Sequence, residues 1–404
     1  MFNLIKRMSR NKYFYIFTAL IILMFPSTLY MQSDKDKTII VTTMGVDYQD
    51  DEYELTTLAI TPLGGQDTNV NLEIFTATGK TIAEALENIS NNTGKNVGLA
   101  HCDCIILSMD TLSSNITHTL DYFTRTSNLT TNATLVATDG KSKDLIEATK
   151  SSHDLLNLSV KNIVLYQEGK SVLNNVNIEK FYRNYLSHSS SFYMPVLSVK
   201  ESDESSSSPG NSGGSENSQS QKKIQNDNRM IVLKHGEYIG EIDEDEKMIY
   251  NIISNDAKQL EITIEDVNDE YVTSSTEVYQ QTEKLLIPWY SFDGDTPIVT
   301  YNVWLSFTID EIESMDNHSS TALSGIIQYL TPTAEQLIRK KVDENLSSTI
   351  TKMRDKNIDI MRLYEHFNAY HYSKWKKYLS SLPDETHYLD GVDLRINLHL
   401  NYVV

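Results

Sequence analysis

An apolar run at the start of the chain limits its topology more than any other feature. Lys6, Arg7, Arg10 and Lys12 precede a nearly uninterrupted apolar stretch over 13–31, and no acidic residue appears before Asp34. The stretch is about 19 residues, or 28 Å of helix, close to the thickness of a bilayer's hydrocarbon core. Basic residues before a span favour the cytoplasmic side, so the flank at 1–12 is expected inside and the remaining chain outside. Tyr13, Tyr15 and Tyr30 stand near the two ends, where aromatic rings prefer the interface. A cleaved signal peptide would also have a charged start and an apolar middle, but Pro26-Ser27-Thr28-Leu29-Tyr30 is a poor cleavage pattern. An uncleaved single-pass anchor is therefore expected.

The 404-residue chain as a whole is acidic, with a formal net charge of −20. Much of the N-terminal basic charge belongs to the anchor flank, so the outer part is more acidic still. That balance argues against nucleic acid, whose binding rests on neutralising phosphates with Lys and Arg. The two cysteines fall in His101-Cys102-Asp103-Cys104, within a stretch (99–109) that reads as one strand. Residues two apart on a strand are badly placed to form a disulfide with each other. No second Cys/His pair completes a zinc set, so buried thiols are expected.

Strand chemistry at 38–44 and 53–60, joined through the turn residues of 45–51, predicts an antiparallel hairpin. Ile82, Ala85, Leu86 and Ile89 share one helical face, with Thr81 as the cap. A strand at 104–107, a helix around 120–123 and a strand at 133–137 follow, without a regular βαβ cadence. Residues 201–228 carry a Ser/Gly run with almost no large apolar side chain, which predicts a disordered linker. Order resumes at 230–233, and a helix at 244–253 and a strand at 260–264 suggest a small middle module.

Toward the C-terminus, 299–309 reads as a strand. Thr331 and Pro332 look like the cap and first position of a long helix with an apolar face of Ile338, Val342, Leu346, Ile350 and Met353. From Asp393 onward alternation is strict: Leu394, Ile396, Leu398, Leu400 and Tyr402 oppose Asp393, Arg395, Asn397, His399 and Asn401. That pattern predicts a half-buried antiparallel strand packed on the helix, with His399 on its wet side. The expected class is α+β: one transmembrane helix, then three mixed modules (38–200, 229–290 and 291–404) with largely antiparallel sheets and a C-terminal helix on a sheet.

Chemistry-bearing motifs are sparse. Thr78-Gly79-Lys80-Thr81 lacks the earlier glycine of a phosphate loop, since Ile74 stands there. Asp243-Glu244-Asp245-Glu246 lies at a helix start, where acidic residues oppose the positive helix end without any metal. Lys374-Trp375-Lys376-Lys377-Tyr378 reads as a core Trp among solvated lysines. No cofactor is implied.

The ordered blocks resemble the Ger(x)C proteins, the C subunits of spore germinant receptors. Met44-Gly45-Val46-Asp47 with Glu52-Tyr53-Glu54-Leu55-Thr56 is similar to that family's opening hairpin, and Gly79-Lys80-Thr81 to its first helix start. His101-Cys102-Asp103-Cys104-Ile105 matches its next strand, and Asp121-Tyr122-Phe123-Thr124-Arg125 its following helix. Tyr238-Ile239-Gly240 with the acidic helix, then Asn357-Ile358-Asp359-Ile360, Tyr364 and Lys374-Trp375, continue the order. The family's usual lipid-bearing cysteine is missing here, and the expected anchor would do its mechanical job. The resemblance marks Gly45, Asp47, Gly79, Arg125, Gly240, Asp359 and Trp375 as structural positions and carries over no catalytic residue. It implies a non-catalytic subunit on the outer face of the spore's inner membrane, working in assembly or signal relay beside a transporter-like and a large membrane-bound subunit. The contrasting readings are an anchored ligand-binding or adhesion protein, and an anchored hydrolase.

Overall fold

Two β-rich stretches of the chain bury their apolar residues in two separate cores, and the way the strands pair decides which residue joins which. The computed structural model describes residues 38–61, 71–114, 116–126, 128–151, 160–171, 173–201, 222–254, 260–264, 271–280, 288–314 and 323–403. The expected anchor at 13–31, with Lys6, Arg7, Arg10 and Lys12, lies outside them. No helix among the described residues is long and apolar enough to cross a membrane.

The first sheet grows from the hairpin of β1 (Thr38–Gln49) and β2 (Glu52–Thr61), whose turn places Asp50 and Asp51 in left-handed conformation. β3 (Asn71–Gly79) adds antiparallel to β2. Helix α1 (Ile82–Thr93) buries the expected Ile82, Ala85, Leu86 and Ile89, and ends on Gly94 at φ 67°. The short β4 (Asn96–Gly98) and β5 (Cys104–Ser108) both run parallel to β1. Helices α2 (Met109–Ser114) and α3 (Ile116–Arg125) lead to β6 (Thr134–Thr138), parallel to β5. Then α4 (Ser142–Ser151), α5 (Val160–Gly169) and α6 (Ile178–Tyr185) lead to β7 (Ser191–Glu201), parallel to β6.

Every residue of β5 and β6 is buried, as a parallel strand covered on both faces requires. Two successive strand–helix–parallel strand connections thus sit where the sequence shows no regular cadence. Short α2 and α3, and the multi-helix passage to β7, hide the alternation. The strand expected over 99–109 is only β5, because Met109 already starts α2.

β8 (Lys222–Lys234) pairs antiparallel with β7 from Ser191↔Lys234 to Glu201↔Lys222, and β9 (Glu237–Ile242) pairs with β8. Residues 222–228 are therefore strand rather than linker. Their polar composition conceals it, since the backbone ladder holds them and Ile224 packs against the core. The sheet order is β3-β2-β1-β5-β6-β7-β8-β9, with β4 beside β1.

Helix α7 (Glu244–Ser254) opens the second half. Its sheet comprises β10 (Leu260–Ile264), β11 (Tyr271–Gln280), β12 (Trp289–Asp293), the long β13 (Thr296–Ser314) and β14 (Asp393–Tyr402). Between β13 and β14 lie α8 (Leu323–Asp355), α9 (Leu363–Tyr370), α10 (Tyr372–Ser381) and a 3-10 turn at Glu385–Gly391. β14 runs parallel to β13, not antiparallel, from Ile298↔Asp393 to Phe307↔Tyr402. Alternation reports only that one face is wet, and direction follows from the helical crossover that returns the chain to the same end of the sheet. The expected inward residues are the less exposed ones, while Arg395, Asn397, His399 and Asn401 are exposed.

Helix α8 begins a good two turns earlier than expected and carries Pro332 inside it. Its described face is as predicted, with Ile338, Val342, Leu346 and Met353 buried and Ile350 half-buried. The middle stretch is not a module of its own. Met230, Ile231, Val232, Leu233 and Ile242 join the first core, whereas Ile249, Ile252 and Ile253 join the second. Met353, Ile358 and Ile360, at and after the end of α8, pack into the first core. There the two halves meet.

Candidate functional site

The motifs that suggest chemistry are consumed by structure. Glu84 N–H donates to Thr81 Oγ1 at 3.1 Å and Lys80 N–H to the Glu84 carboxylate at 2.8 Å, a reciprocal cap on α1. The Lys80 amide that a phosphate would use is already occupied. Asp243 and Glu246 cap α7 in the same way, at 2.9 Å each, and Lys352 pairs with Asp243. Cys102 and Cys104 are free and buried, and burial pushes the Cys102 thiol up to about 12 and Cys104 well above its ordinary value. Neither is a ready thiolate. Among the described residues no group of His, Cys, Asp and Glu could hold a metal ion.

The positions marked by the family pattern fall into distinct local roles. Asp47, 6 % exposed, accepts from Ser142 N–H at 3.0 Å and Ser142 Oγ at 2.7 Å, so a carboxylate from β1 caps α4. Gly45 makes room for this. A Cβ there would stand 2.3 Å from Ser142 Oγ. Gly79 admits the start of α1, since its Cβ would stand 2.6 Å from Ala85 N. Arg125 forms an exposed i,i+4 pair with Asp121 at 2.7 Å. Gly240 has φ 152° and lies beside Lys356, whose ammonium donates to Glu241 O at 3.2 Å. Trp375 is fully buried and stacks on Phe367 at 5.0 Å, with Lys374, Lys376 and Lys377 exposed around it.

Asp359 is the position with the widest reach. It is 1 % exposed in the segment that crosses from α8 to α9. Its carboxylate accepts from Leu363 N–H at 2.9 Å and Tyr364 N–H at 3.0 Å, the free donors at the start of α9, and from Tyr388 OH at 2.7 Å. Its own N–H donates to Ser191 Oγ, at the start of β7, at 3.3 Å. Burial raises the Asp359 carboxyl above its usual range, and the three donors pull it back down.

Neighbouring contacts extend this seam. Ser189 N–H donates to Glu365 at 3.1 Å, His188 stacks on Tyr364 at 3.7 Å, and Lys234 donates to Asn357 O. Across α7, Asn251 donates to Ser171 O at 2.7 Å, and Tyr250 meets Tyr193 edge-on at 4.3 Å. Asp359 and Trp375 are two marked positions that the fold gathers, through Tyr364, at one end of the second core. Gly45 and Asp47 lie elsewhere, in the first.

Beside the seam opens a cavity of about 390 Å³ between α6, β7, α7, the start of β12 and the turn before α9. No motif announces it. Its walls come from segments far apart in sequence.

Two family models match the chain. The spore germination protein N-terminal domain covers residues 32–199, and the C-terminal domain described as spore germination B3/GerAC like covers residues 228–400. A solved structure titled "Crystal Structure of the GerBC protein" is similar at 13 % identity and a TM-score of 0.49, over 89 % of this chain and 97 % of that one. No curated protein matched the sequence.

Proposed function

The chain belongs to the Ger(x)C family of spore germinant-receptor C subunits, and we propose that it works without catalysis, in assembly or signal relay, as a membrane-anchored part of such a receptor. The observation that carries this reading is the Asp359 junction. The buried Asp359 carboxylate orients α9 and reaches the 3-10 turn through Tyr388, while the residue's backbone N–H touches β7. The junction thus ties β7 of the first sheet to the helices that follow α8, a contiguous contact of the kind that relay between two neighbouring subunits would use. The apolar stretch at 13–31 would hold the acidic outer halves against the membrane, within reach of the transporter-like and large membrane-bound subunits.

Genetics and co-purification test the reading together. A strain lacking the protein should sporulate normally and respond poorly to at least one nutrient. The tagged protein should carry the other receptor subunits with it from detergent-solubilised membranes. Unchanged germination with every germinant, together with purification free of membrane partners, overturns it and favours an anchored binding or adhesion protein.

A further inference from the structure

The cavity beside the seam has a chemistry opposite to that of the rest of the chain. The whole protein carries a formal charge of −20, yet no carboxylate lines this space, while Lys180, Arg183 and Arg362 do. Among the described residues neither arginine has an ion-pair partner, and Lys180 spends one donor on Asn175 O at 3.1 Å. Arg362 sits in left-handed backbone, φ 57° and ψ 40°, and its buried Nε has no hydrogen-bond partner. The 5 % exposed Asn174 likewise leaves its Oδ1 unpaired. Three cations lining one space with no carboxylate among them repel one another, and an anionic ligand would supply the missing counter-charge.

The remaining lining mixes aliphatic side chains (Val176, Ile253, Ile360) with aromatic rings. Tyr290 stacks on His366 at 5.0 Å, and Tyr193 and Tyr250 meet close by. Burial and the Arg362 charge hold His366 below its ordinary value, so at neutral pH it offers the ligand a ring rather than a further charge. The volume suits a molecule of small-metabolite size.

We propose that this cavity binds a small organic oxyanion, a carboxylate or phosphate monoester borne on a flat aromatic body, with the oxyanion on Arg362 and Arg183 and the ring against Tyr290. The inference does not depend on the receptor reading, since it concerns only the cavity.

Equilibrium titration of the full-length protein in detergent tests it, with benzoate and phenyl phosphate as the two anionic probes. Benzyl alcohol supplies the ring without the charge, and inorganic phosphate the charge without the ring. At least one anionic aromatic should bind saturably, and both controls about tenfold more weakly or worse; which anion binds tighter distinguishes carboxylate from phosphate. Arg183→Gln, at the exposed rim, should weaken the preferred probe about tenfold with an unchanged circular dichroism spectrum, and Arg362→Gln at least as much. If Arg362→Gln does not fold, Arg183→Gln decides. Absence of saturable binding, equal affinity for benzyl alcohol, or undiminished affinity in folded Arg183→Gln overturns the proposal.

Discussion

Single atoms set the tolerances of this fold. At Gly45 a methyl group would stand 2.3 Å from Ser142 Oγ and 2.7 Å from Ser142 Cβ, inside a strand with no room to retreat. Gly45→Ala should therefore cost about 1–3 kcal/mol in urea unfolding through overpacking. Asp47→Ala, which removes the acceptor of two Ser142 donors, should cost a similar amount. Asp359 adds a pH signature. Its folded pKa lies above its ordinary 3.8, so the folded state binds the proton more tightly than the unfolded chain. This contribution to stability is fully present below 3.8 and is lost as pH rises through the raised value. Asp359→Asn should remove that downward slope from the stability–pH curve just above 3.8, as chemical unfolding at several pH values would show. An unchanged slope would mean that the group is not desolvated.

At the scale of elements, the sequence signals that rest on local physics are the ones the structure repeats. The cap and apolar face of α1, the apolar face of α8 and the alternation of β14 each involve residues a few positions apart. Signals that depend on what lies across the sheet fail. Pro332 reads as a helix start because that is where proline costs least, yet α8 continues through it. The two placements predict opposite outcomes. With Pro332 inside the helix, Pro332→Ala should raise stability by about 1–2 kcal/mol, the gain in helix propensity less the lost rigidity of the unfolded chain. A loss of stability would return the helix start to Pro332. Similarly, β8 looks too polar to fold between 222 and 228, and only its partner β7 makes it a strand.

At the scale of the molecule, the two sheets have separate cores joined by a small polar seam around Asp359 and the crossing residues Met353, Ile358 and Ile360. Removing the carboxylate strips three donors of their acceptor, and Asp359→Ala should cost about 3–5 kcal/mol. It should also split thermal unfolding into two transitions by calorimetry, and Trp375→Phe added to that variant, inside the second core alone, should lower only one of them. A single shifted transition in Asp359→Ala would show that the halves are held together elsewhere. The aromatic and cationic cavity belongs to this scale too. Asn174, Arg183, Tyr290 and Arg362 each look unremarkable in sequence, and only the docking of two sheets brings them to one space.

Local order was settled by the chain alone: the capped start of α1, which helix and strand faces are apolar, that the chain is acidic and mixed α and β, and which family it resembles. Those properties arise from neighbours within a turn of helix or two strand residues, where spacing and side-chain chemistry suffice. Tertiary structure decided the rest. It set the parallel return of β14, the division of the middle stretch between two cores, the burial of Asp359 and the sign of charge in the cavity. The deciding partners lie far off in the chain, as Asp393 opposite Ile298 and Ser191 at the Asp359 amide, and no periodicity records which distant strand or side chain a residue will meet.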